Sequence, residues 1–151
     1  MKRLDYPPIW LLGFMGLAWA LNWALTKVGL GFEAPYALKL LGGVLIAVGL
    51  LLMALAVFAM LRHRTTVVPH RVPSDIVTDG VYRLTRNPIY LGDAFTLVGF
   101  ALLFAHPAGV LLTPIFMAVI QRRFIAEEET WLRTKFSQEF QTWAEQTRRW
   151  L

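Results

Sequence analysis

The sequence predicts an all-α fold, an integral membrane helical bundle of about four transmembrane helices followed by a cytoplasmic C-terminal helix. Three observations carry that expectation. Hydrophobic residues make up 56% of the chain, against roughly 45–50% in soluble domains. The excess sits in long apolar runs of the length that crosses a bilayer. Basic residues gather at the flanks of those runs rather than along one soluble face.

Composition closes several other classes. At 151 residues the chain is the size of one domain, residues 1–151. It has no cysteine, which excludes disulfides, thiolate metal sites and a cysteine nucleophile. The histidines His63, His70 and His106 are scattered and form no zinc-binding spacing, so no metal is expected. A net charge of +5 raises the question of nucleic acid, but its distribution along membrane flanks argues against such a partner.

The elements follow in order. Pro7 and Pro8 precede the first apolar run, where proline starts a helix without removing a needed donor. That run gives a span at about 9–26. Ala18-Trp19-Ala20 resembles a signal-peptide cleavage site, but apolar residues continue to Leu25, so an uncleaved span is expected. Gly13 and Gly16 would admit a close neighbour. A loop containing Gly29, Gly31 and Pro35 leads to a second span at about 36–61, longer than the ~20 residues a crossing needs. Its Gly42, Gly43 and Gly49 read as close-packing positions, since no strand precedes them to make a phosphate loop.

A polar connector, 62–88, opens with Arg62, His63 and Arg64 and contains Pro69, Pro73 and the turn signal Asp79-Gly80. A third span is expected at about 89–105 and a fourth at about 110–120, joined by His106-Pro107-Ala108-Gly109. Beyond it the stretch 121–147 has neither proline nor glycine and reads as one helix continuing into water. Lys27 and Lys39 fall on one side of this plan. Lys2, Arg3, the connector arginines and the basic residues from Arg122 onward fall on the other, which is therefore expected to be cytoplasmic with both termini. The expected location is a bacterial inner membrane.

In the C-terminal helix Ile125, Leu132, Phe136, Phe140 and Trp143 recur at helical spacing as one apolar stripe. Glu128 and Glu129 both project toward that stripe. Read from the residues alone, they are equally a ligand-binding pair or a solvated patch in which Glu129 pairs with Arg133. The other concentration of polar groups is Ser74–Asp93, which packs Asp75, Asp79, Tyr82, Arg83, Arg86, Asn87, Tyr90 and Asp93 between two apolar runs. Charge at a membrane entry point is expensive and marks a candidate site.

Within that stretch, Thr78-Asp79-Gly80-Val81-Tyr82-Arg83 followed by Arg86-Asn87-Pro88-Ile89-Tyr90-Leu91-Gly92 resembles the T-x-G-x-Y-R…R-H-P-x-Y-x-G signature of the isoprenylcysteine carboxyl methyltransferase and phospholipid methyltransferase superfamily. Glu128–Phe140 is similar to its E-E-x-x-L-x-x-x-F-G-x-x-Y block, and Arg149-Trp150-Leu151 to its closing R-W-L. The resemblance covers the second half of the chain. It implies a small bacterial-type membrane enzyme that uses S-adenosyl-L-methionine on a lipidic or prenyl-like acceptor in contact with membrane lipids. It further implies cofactor binding by Tyr82, Arg86, Asn87, Pro88, Tyr90, Glu128 and Glu129. Glu129, Arg86 and Asp93 are the candidate catalytic residues. Asp93 reads either as a base or partner of Arg86, or equally as a helix-entry carboxylate paired with a connector arginine. Asn87 stands where the pattern has histidine, Ser137 where it has glycine and Phe140 where it has tyrosine. Two other readings stay open: a steroid-reductase-like membrane enzyme, and a non-catalytic ligand-binding or assembly protein.

Overall fold

A computed structural model describes residues 5–68 and 71–151 of the chain. Lys2 and Arg3 of the orientation argument, and Pro69 and His70 of the connector, lie outside the described residues. All regular structure among the described residues is helical. Helix α1, Pro7–Lys27, begins on its two prolines, and α2, Tyr36–Arg62, begins after Pro35. A 3₁₀ turn, Gly80–Arg83, interrupts the connector. Helix α3 is Pro88–Phe104. The stretch Pro107–Lys135 is continuously helical but not uniform. It opens as a 3₁₀ turn at Pro107–Leu111, becomes α4 at Leu112–Ile120, widens to a π turn at Gln121–Ile125 and closes as α5, Ala126–Lys135. Helix α6 is Ser137–Gln146.

By length and hydropathy, α1, α2 and the Pro107–Lys135 stretch can each cross a membrane, while α3 is a shorter apolar helix of 17 residues. At 27 residues, α2 is about 40 Å long and exceeds the ~30 Å hydrocarbon core, so it tilts or projects. Helix α3 is the centre of the bundle, packed against α1, α2 and α4. Its contact with α2 is made by small residues. Gly42 meets the carbonyl of Gly99 and Gly49 that of Gly92, a seven-residue register on both helices that lets two antiparallel backbones touch. Gly13, Gly16 and Gly43, expected to do the same, face open space. Hydropathy identifies a span but not which face of it a glycine occupies. Most of the remaining α2 surface is exposed leucine, valine and phenylalanine, the side that meets lipid.

The single helix expected over 121–147 is broken. Phe136 leaves the helical region at φ −126° and ψ 46° and separates α5 from α6. No proline or glycine marks the break; it is tertiary. Phe136 packs beside the cluster of Ala56, Ala59, Ile76, Val77, Tyr82, Phe140 and Trp143, and the bend folds α6 onto the connector. The π turn has a related effect. By widening the helix it buries the neighbours Phe124 and Ile125 together, against Phe14, Tyr90, Leu97, Phe116 and Ile120. Ile89 touches both clusters, and the candidate site lies where they meet.

Candidate active site

Each element delivers its side chain for a local reason. Gly80 takes φ 56°, which glycine adopts without a steric penalty, and starts the turn that carries Tyr82 inward. Trp143 of α6 fixes that turn by donating its indole N–H to the Tyr82 carbonyl at 2.8 Å. Asn87 occupies the N-cap position of α3 without a side-chain capping bond, and Pro88 starts the first turn of the helix. One helical turn on, the Tyr90 hydroxyl donates to Glu128 Oε1 at 2.6 Å, joining α3 to α5.

Glu129 is the charge centre. It is 7% exposed, and Arg149 grips it with two parallel bonds, Nε to Oε1 at 2.9 Å and Nη2 to Oε2 at 2.7 Å. Arg86 Nη2 lies 3.4 Å from Oε1, and Arg133 Nη2 3.8 Å from Oε2. A buried carboxylate is tolerated when its oxygens are matched in this way. Burial holds the Arg86 guanidinium below its ordinary value, against the pull of Glu129. The hydrogen bond to Glu129 raises that of Arg149. Burial, with a smaller contribution from Glu128, raises the Tyr82 phenol, which stays protonated near neutrality and can donate.

The C-terminal segment closes this wall. The Arg149 carbonyl accepts from Asn87 Nδ2 at 2.8 Å and Thr85 Oγ1 at 3.1 Å, and the Arg148 carbonyl accepts from the Arg86 backbone N–H at 2.9 Å. Asn87 therefore acts as a side-chain donor to a main-chain carbonyl. Histidine at this position can make the same kind of bond through a ring N–H, which gives a physical reason why either residue fits.

A cavity of about 120 Å³ is lined by all seven residues for which the resemblance implies cofactor binding: Tyr82, Arg86, Asn87, Pro88, Tyr90, Glu128 and Glu129. Met60, Ile76, Val77, Ile89 and Leu132 add an apolar wall. Asp93 is not part of the lining. It is 4% exposed inside α3, its Oδ2 has no hydrogen-bond partner among the described residues, and the ion pair of Arg86 is made with Glu129. The only sequence signal for Arg149 is its place in the closing Arg149-Trp150-Leu151.

The sequence pattern of phospholipid methyltransferase matches residues 38–139, from α2 into α6. The chain belongs to the phospholipid methyltransferase family. No curated protein and no solved structure matches it. The phospholipid methyltransferase match contains both polar blocks that line the cavity, and with the apolar helices it makes this protein a membrane methyltransferase. Arg149 lies beyond the matched region.

Asp75, in the lining of this phospholipid methyltransferase cavity, also belongs to a titrating clamp. His63, just past α2, places Nδ1 2.9 Å from Asp75 Oδ2 and Nε2 3.2 Å from Asp79 Oδ1. Only the imidazolium can donate to both carboxylates. The hydrogen bond to Asp75 raises the His63 pKa against slight burial, and Asp79 adds to the rise. With the folded value above the unfolded 6.5, the clamp stabilises fully below 6.5 and is lost as pH rises through the folded value. Hydrogen exchange over 63–68 and 71–79 should therefore quicken between about pH 5.5 and about pH 8.5 beyond the intrinsic rate change. His63→Gln should remove that excess; an excess of equal size in the variant would refute the clamp.

Proposed function

We propose that this protein transfers a methyl group from S-adenosyl-L-methionine to a lipidic acceptor at the cytoplasmic membrane face, with both termini in the cytoplasm. The observation that carries the reading is the convergence of both polar blocks on one cavity with an apolar wall. The residues present fit the cofactor chemically. Glu128, held by Tyr90, is the carboxylate for an α-ammonium, and Arg86, whose buried Nε lacks a hydrogen-bond partner among the described residues, is the guanidinium for a carboxylate. Tyr82 and the polar groups at Asn87 serve the ribose edge.

When bound, S-adenosyl-L-methionine supplies an electrophilic methyl on a sulfonium, whose sulfur keeps the electron pair as the carbon–sulfur bond breaks. The task of the chain is alignment and exclusion of water. Arg86 and Glu128 fix the two ends of the amino-acid group. Met60, Ile89 and Leu132 present an apolar surface on which an acyl or prenyl chain can lie. The acceptor heteroatom must approach in line with the breaking bond.

The test is to incubate the full chain in lipid nanodiscs with methyl-labelled cofactor and a lipid extract, and to measure S-adenosylhomocysteine binding by calorimetry. Label in an organic-soluble product is the expected result. Binding without transfer would favour the non-catalytic reading, and absence of binding would remove the cofactor reading. Reporter fusions after Trp150 and within residues 28–35 should fall on opposite sides of the membrane; one side for both would overturn the topology.

A further inference from the structure

We propose that Arg149 is a positioning residue of the methyl-transfer site, setting Glu129 and through it Arg86, so that the segment 147–151 is part of the cofactor-binding machinery. This rests on the cofactor reading of the cavity. The cavity wall joins three charged groups. Arg86 and Glu129 both line the cavity and face each other, and Arg149, behind them, reaches Glu129 from the C-terminal segment.

The geometry assigns the order of dependence. Arg149 makes two short, parallel contacts with Glu129, whereas Arg86 makes one at 3.4 Å and Arg133 one at 3.8 Å. A guanidinium fork fixes the plane of a carboxylate as well as its charge, which a single contact does not. The carboxylate so fixed leaves Oε1 facing Arg86. Arg133 is poorly placed to substitute, since it is largely exposed and its guanidinium also lies over the Phe140 ring at 5.3 Å.

The main chain of the same segment holds Arg86 a second time. The Arg148 carbonyl takes the Arg86 N–H, and the Arg149 carbonyl takes the flanking side chains of Thr85 and Asn87. Trp150 anchors the segment by donating to Gln121 Oε1 at 3.0 Å, at the start of the π turn. The segment thus joins the motif before α3 to the helix that bears the glutamates. Ordinary packing does not require a planar fork at its centre; aiming Arg86 into the cavity does.

The test compares the parent, Arg149→Ala, Arg149→Lys and Arg122→Ala as full chains in detergent. Arg122 is exposed on the π turn and outside the cavity, so its variant matches the charge change alone. Calorimetry reads S-adenosylhomocysteine affinity, thermal unfolding reads stability, and millimolar methylguanidine is the rescue agent. Arg149→Ala should weaken binding about tenfold or more, since bonds to a charged group are lost. Arg149→Lys should be intermediate, keeping charge without the fork. Methylguanidine should restore binding to Arg149→Ala and leave the other proteins unchanged. Unaltered affinity in Arg149→Ala, or loss that tracks thermal stability and resists rescue, would overturn the proposal. If Arg149→Ala does not fold, an affinity in Arg149→Lys equal to the parent's would overturn it instead. Failure of the parent itself to bind would sink the cofactor reading, a separate outcome from failure of the Arg149 variants to differ.

Discussion

Glu128→Gln should weaken binding of S-adenosylhomocysteine by roughly ten- to a hundredfold, the loss of one charge-assisted bond of ~1.5–3 kcal/mol, with the melting temperature little changed. The residue lines the cavity and its Oε1 is oriented by the Tyr90 hydroxyl. An amide there keeps the acceptor and loses the charge. Tyr90→Phe should produce a smaller loss, because the carboxylate remains but is no longer oriented. Glu129→Gln is expected to differ in kind. It uncouples Arg149, so affinity and thermal stability should fall together. Glu127 is not in the cavity lining, and Glu127→Gln should be nearly silent. Calorimetric titration of the four variants decides the matter, and equal losses at Glu127 and Glu128 would restore the solvated-patch reading.

Gly49→Ala should be strongly damaging to the α2–α3 pair. A Cβ at Gly49 would lie 2.5 Å from the Gly92 carbonyl oxygen and 2.7 Å from Thr96 Oγ1. Neither is the far end of a flexible side chain, since one is backbone and the other is tied to the Gly92 carbonyl at 2.8 Å. The helices must separate, at a cost of about 3 kcal/mol. Gly43→Ala is the matched control on the same helix: its Cβ meets open space, and alanine gains helix propensity of up to about 1 kcal/mol over glycine. Thermal unfolding in one detergent should show opposite signs. Two equal shifts would mean that the close Gly49–Gly92 approach does not hold the bundle together.

The parts of this molecule that were legible in advance are those governed by average properties of a stretch. Length and hydropathy reveal the apolar helices, and the two polar blocks stand out because charge between apolar runs is conspicuous. What was not legible depends on direction. Gly43 and Gly49 are alike in hydropathy, and only the face that α3 occupies separates them. Glu128 and Glu129 both point toward the packed side, yet one binds a tyrosine and the other a guanidinium fork. The break at Phe136 carries no helix-breaking residue and arises from aromatic packing against the connector. Arg149 follows the helical pattern in the chain, so no periodicity pointed to it.

The hydrogen bond from Asn87 to the Arg149 carbonyl closes a loop of 62 residues. Closing a loop of that length carries an entropic cost that must be met before the contact forms. Here the loop contains α3 and the whole helical stretch from Pro107 to Lys135, both of which must be seated before the two residues can meet. A chain whose later helices are still entering the bilayer therefore has its arginine-asparagine-proline motif without the wall that completes it. Under the proposed cofactor reading, a chain without that wall lacks a complete site.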